Sequence, residues 1–115
     1  KALVSVGGAA IKWKSAWSKL DLDYYQYHFY DWVNLYYPYT KSPKDWGVTD
    51  KPVVMGEFPF GGVPGADATK LLDSWYGNGF GGALGWAVTD PGFNWKGNRA
   101  AIKGFVDKHS CETRY

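Results

Sequence analysis

Cysteine is all but missing. Cys111 stands alone, so no disulfide framework closes within the chain and no Cys-rich metal site is possible. Histidine is nearly as scarce: only His28 and His109 occur, with no recurring ligand spacing, and neither a metal nor any other cofactor is expected. No apolar run approaches the ~20 residues of a membrane span, so no membrane partner is expected. Charge of one sign is not in excess. Thirteen basic and eleven acidic residues leave a net charge of +2, spread along the chain. That balance offers no basic stripe for a nucleic-acid backbone and no acidic tail. Lys12, Lys14 and Lys19 read most simply as a solvated face. No Gly-x-Gly-x-x-Gly follows the first apolar run, which removes support for a dinucleotide-binding fold. The first residues, Lys-Ala-Leu-Val-Ser-Val, lack the layout of a signal peptide and read as the interior of a fold.

Aromatics are what the chain has in abundance: seven Trp, nine Tyr and six Phe, 19% of its residues. Their flat apolar faces suit sugar rings, but they suit a core or an interface equally, and core packing accounts for more of them. At 115 residues the chain is one domain at most, with room for a real core.

Four strands are expected. Residues 3–8 are β-branched and end in a Gly pair. A loop with one or two helical turns follows, carrying Trp13, Trp17 and Leu20. Residues 23–30 form the second strand, with Tyr24, Gln26, His28 and Tyr30 on one face and Tyr25, Tyr27 and Phe29 on the other. Residues 31–47 are too aromatic for a solvated linker and too Pro-broken for one helix; connections of that length tend to be functional. In the third strand Val53, Val54 and Met55 form a continuous apolar run, as when both faces are buried; Glu57 closes it and Pro59, Gly61 and Gly62 stop the pairing. Asp67 caps a helix that buries Leu71, Leu72, Trp75 and Tyr76 and ends at Gly77 and Gly79. Residues 81–88 form the fourth strand. Asn98 caps a last helix with Ala101, Ile102, Phe105 and Val106 as its apolar stripe.

Strands recurring every 20 to 30 residues with room for crossovers imply parallel pairing and outer helices. Four such units make half of an α/β barrel of the eight-fold, ~250-residue kind. A half barrel leaves open edges and half a core, so either another polypeptide segment or a second copy must close it. The C-terminal ends of barrel strands share one rim. There His28 and Tyr30, Glu57 and Trp86 converge. A carboxylate beside a phenol and an imidazole, with a Trp platform, suits attack on an anomeric carbon to give a covalent glycosyl-enzyme. The competing account of Glu57 is a strand-end carboxylate held by a neighbouring cation. Trp32, Tyr36, Tyr37, Tyr39 and Trp46 are either a loop packing on itself or sugar subsites. Asp90 is either a sugar contact or a turn former before Pro91.

His28-Phe29-Tyr30, then Lys51-Pro52-Val53-Val54-Met55-Gly56-Glu57-Phe58, then Gly85-Trp86 resemble the last half of a glycoside hydrolase family 5 barrel. That family belongs to a clan of retaining glycosidases that includes cellulases and endo-β-mannanases. The resemblance spans residues 1–115 and implies an α/β fold, the C-terminal half (strands 5–8) of a (β/α)8 barrel. It implies Glu57 as the nucleophile on the seventh strand. It implies His28 and Tyr30 as the His-x-Tyr pair of the sixth and Trp86 as the tryptophan ending the eighth. Trp32 and Asp90 are further candidate substrate contacts. By the same resemblance the substrate is a β-1,4-glycan of mannan or cellulose type and the enzyme is secreted. The departure is the acid/base: no Asn-Glu pair occurs, and Glu112 is the only other glutamate. The chain alone is therefore expected to be inactive. Three classes stay open: the nucleophile half of a retaining β-glycanase, a non-catalytic carbohydrate-binding half barrel, and a self-assembling barrel fragment.

Overall fold

The alternation of residues 23–30 survives in three dimensions. In the computed structural model, which describes residues 2–87, 89 and 94–109, Tyr25, Tyr27 and Phe29 are buried. Gln26, His28 and Tyr30 are only partly covered. The strand itself, β1, is Tyr25–His28. It pairs in parallel with β2, Val53–Pro59, which pairs in parallel with β3, Gly82–Trp86. The described sheet is thus three-stranded, in the order β1-β2-β3.

Residues 3–8 do not make the expected first strand. They run beside residues 23–28 and touch that backbone at intervals: the Asp23 amide donates to the Val4 carbonyl at 2.9 Å, and the His28 amide to the Gly8 carbonyl at 2.8 Å. A single parallel bridge joins Ala9 to His28. Leu3, 73% exposed, has no covering layer among the described residues. Propensity made the segment extended, but no continuous ladder fixes it as a strand. A 3-10 turn, Ile11–Trp13, and a one-turn helix α1, Lys14–Trp17, follow as expected. Trp17 is buried there, whereas Trp13 and Leu20 are exposed.

The aromatic connection from β1 to β2 holds a one-turn helix α2, Asp31–Asn34, and a 3-10 turn, Pro43–Trp46. A capping box locks that turn: Ser42 accepts from the Asp45 amide, and the Asp45 carboxylate accepts from the Ser42 amide. Helix α3, Ala68–Gly77, starts where Asp67 accepts the Lys70 amide at 2.8 Å. It stops at Gly79, whose φ of 81° is left-handed. Leu71, Leu72 and Trp75 of α3 are buried; Tyr76 lies at the edge, on Phe105.

The last helix, α4, is Trp95–Lys108, and its cap is Asn94, not Asn98: the Asn94 side chain accepts from the Gly97 amide at 3.0 Å. Asn98 instead donates its own amide to the Asn94 carbonyl, one turn inside. Both asparagines precede apolar periodicity, and the helix takes the earlier one. No residue of α4 is buried. Ala101 and Phe105 reach the core edge, over an apolar cavity of about 380 Å³ lined by Phe58, Phe60, Trp75, Tyr76 and Ile102 among others.

Candidate active site

Strict alternation along β2 would put Glu57 on the same face as Val53 and Met55, both buried under the helices. The pairing prevents that. Tyr27 is opposite Met55 but His28 is opposite Glu57; Met55 is opposite Ala83 but Phe58 is opposite Gly85. β2 therefore carries one residue more than each neighbour between Met55 and Phe58, a β-bulge that reverses the facing of everything beyond it. Phe58, 1% exposed, drops into the core against Trp75, with ring centroids 5.1 Å apart. Glu57 turns to the open face with His28. The expectation that both faces of 53–55 are buried fails in part: Val53 and Met55 are buried, while Val54 is only partly covered.

On that open face the Tyr30 hydroxyl donates to Glu57 Oε1. His28 Nδ1 lies 3.5 Å from Oε2. Both carboxylate oxygens thus have a polar neighbour, while the side chain remains 18% exposed and that of His28 28% exposed. The strand ends are tied as well, since the Phe29 amide donates to the Glu57 carbonyl at 2.8 Å. On the next strand Trp86 faces the same side, opposite Pro59 in register, and is 55% exposed. Trp32, on the first turn of α2 just beyond Tyr30, is also exposed. Asp90 lies outside the described residues, as do Cys111 and Glu112.

The chemistry this can perform is that of a fixed, accessible carboxylate. One oxygen is held by a phenol and the other is open to an imidazole, in a site at the C-terminal ends of parallel strands. Among the described residues no cluster of three His, Cys, Asp or Glu side chains could hold a metal, and no helix is long and apolar enough to cross a membrane. At the opposite, N-terminal end of β1, the Tyr25 hydroxyl donates to Asp50 at 2.7 Å. That bond, with burial and the Asp50 charge, pushes the Tyr25 phenol up to about 12 and holds the Asp50 carboxyl below its usual value. Burial also pushes the Tyr27 phenol up; its hydroxyl has no hydrogen-bond partner among the described residues and belongs to the core.

Sequence reasoning singled out Glu57, His28, Tyr30 and Trp86, which share one face of the sheet, but missed Gly56 and what surrounds it. A Cβ at Gly56 would stand 2.1 Å from Gln26 Cγ, and one at Gly7 would stand 2.9 Å from His28 Nε2. The available signal was a glycine inside a strand, next to an acid, which marks a bulge or a close approach.

No family model and no curated protein matches the sequence. Among solved structures, the fold is similar to the X-ray structure of the β-mannanase from the blue mussel Mytilus edulis. The TM-score is 0.70 at 23% identity, over 93% of this chain and 35% of the mussel chain. The described chain is therefore an α/β unit with a three-stranded parallel sheet, compatible with part of a (β/α)8 barrel, in a fold shared with a glycoside hydrolase and spanning about a third of that enzyme's length.

Proposed function

We propose that this chain supplies the nucleophile half of a retaining β-1,4-glycanase of the glycoside hydrolase family 5 type, acting on mannan or cellulose. The observation that carries the reading is the pairing of Glu57 with the Tyr30 hydroxyl and His28 on the open face of a parallel sheet, beside an exposed Trp86. The Glu57 carboxylate attacks the anomeric carbon as the glycosidic C–O bond breaks. The leaving oxygen takes its proton from a second carboxyl, and the glycosyl ester is then hydrolysed by water that this carboxyl deprotonates. Tyr30 fixes Oε1 so that the other oxygen meets the sugar. Trp86 stacks on the ring, with Trp32 and Asp90 as outer contacts. The retaining geometry needs the two carboxyls about 5–5.5 Å apart. Since Glu112 is the only other glutamate and follows α4, we assign the acid/base to residues beyond these 115. Leu84, 58% exposed on the same face as Trp86, supports a covering layer from the rest of a barrel, in the same or another polypeptide, or from a second copy. Alone, the chain would bind glycan at most, and the resemblance to glycoside hydrolase family 5 implies a secreted enzyme.

The test is to trap the complete enzyme with a 2-fluoro glycoside and digest it. The label is expected on the peptide holding Glu57; a label elsewhere overturns the assignment. Glu57→Gln should lower kcat on the order of 10⁴-fold or more, the scale on which a covalent nucleophile acts, while sugar binding persists. Retained turnover would refute the role.

A further inference from the structure

Resting on that reading of Glu57, we propose that Gly56 is a positioning residue for the nucleophile, and that it must be glycine because Gln26 occupies the space a side chain would take. Three observations meet here. The register of β2 slips by one residue against both neighbours between Met55 and Phe58. That slip is what carries Glu57 from the helix-packed face to the open one. A Cβ on Gly56 would lie 2.1 Å from Gln26 Cγ and 2.4 Å from its Nε2, separations that real Cβ atoms essentially never show.

The need is one of space and not of backbone conformation, because Gly56 does not have the positive φ of Gly47, Gly62, Gly65 and Gly79. The Gln26 carboxamide also lies near Gly7, where a Cβ would be 3.3 Å from the same Nε2 and 2.9 Å from His28 Nε2. A methyl group at position 56 has to displace either the Gln26 side chain or β2, and a shift of β2 falls at the very pair that joins His28 to Glu57. The carboxylate then leaves the Tyr30 hydroxyl, and the substrate contacts made by other elements stay where they are.

The expected signature is a split between kcat and KM. In the complete enzyme, Gly56→Ala should slow 2-fluoro glycoside labelling of Glu57 and lower kcat by about ten- to hundredfold, the cost of misplacing a reacting group by roughly 1 Å. KM should change by less than about threefold, since the loss falls on alignment and not on ground-state binding. Removing the obstruction should reverse the effect: Gln26→Ala combined with Gly56→Ala should restore labelling to within about threefold of wild type. If Gly56→Ala fails to fold, the double variant decides, because the proposal attributes the whole difficulty to Gln26. A folded, wild-type-like double variant supports it; a double variant that is unfolded, or folded and slow, overturns it. Wild-type kcat in Gly56→Ala also overturns it. A wild-type label on Glu57 combined with a normal rate in Gly56→Ala removes this inference and leaves the nucleophile standing. A wild-type label on another residue removes both.

Discussion

Truncating Phe58 to alanine measures which way β2 faces beyond its bulge. Phe58 is 1% exposed, packs edge-on against Trp75 at 5.1 Å and lies tilted against Phe60 at 5.3 Å. Burying such a side chain contributes about 1.5–3 kcal/mol through transfer from water. Each aromatic pair adds about 0.5–1.5 kcal/mol beyond that area. The void left would merge with the cavity that Phe58 already lines, so little collapse can soften the loss. Phe58→Ala should therefore cost about 3–5 kcal/mol, a large part of the roughly 5–15 kcal/mol by which domains are stable. Were β2 to alternate without a bulge, Phe58 would share the open face and the same change would cost about 0.5 kcal/mol or less. Urea unfolding of the complete protein separates the two, provided the slope of free energy against denaturant is unchanged. A loss below about 1 kcal/mol would refute the facing deduced here, and with it the reason Glu57 is accessible.

Tyr30→Phe should leave the urea midpoint close to wild type and slow 2-fluoro glycoside labelling of Glu57 about ten- to hundredfold, because the hydroxyl aligns the carboxylate; an unchanged rate would show that the hydroxyl aligns nothing. Tyr25 gives a prediction in pH. Its folded value, raised to about 12, exceeds the unfolded value near 10, so its contribution is complete below pH 10 and disappears as pH rises through 12. Asp50, lowered by the same hydrogen bond, contributes above its unfolded value and loses that contribution as pH falls through the folded one. Urea midpoints of Tyr25→Phe should accordingly fall less than those of wild type between about pH 10 and 12, and identical slopes would refute the coupling.

The parts of the fold legible in the sequence are those where side chains declare their own surroundings. Tyr25, Tyr27 and Phe29 alternate with Gln26, His28 and Tyr30, and no competing period fits. Asp67 has the right chemistry at the right distance from an apolar helix face. The failures share one cause, dependence on a partner. Residues 3–8 have strand propensity, but a strand is defined by its ladder, and the one bridge there is made by Ala9, just beyond them. Asn94 and Asn98 are equal as caps until the backbone chooses where α4 begins. The site was legible as a set of residue types ending successive strands. Its facing was not, because one extra residue in β2 shows only when the register of two neighbours is counted against it.

Helix α4 has a thermodynamic consequence of its own. None of its residues is buried, and the side-chain ties of α4 and its C-cap His109 to α3 include an exposed Lys108–Asp73 pair and the cluster of Tyr76, Phe105 and His109. Lifting this helix thus removes no fully buried side chain of its own from the core, although it uncovers the wall of the cavity beneath it. Its amides should exchange with solvent hydrogen through a local opening that leaves the sheet paired, whereas those of β2 should exchange only when the whole unit unfolds. The element that roofs the apolar cavity and the strand that carries Glu57 thus belong to two separate ranks of stability, and motion in one need not disturb the aim of the other.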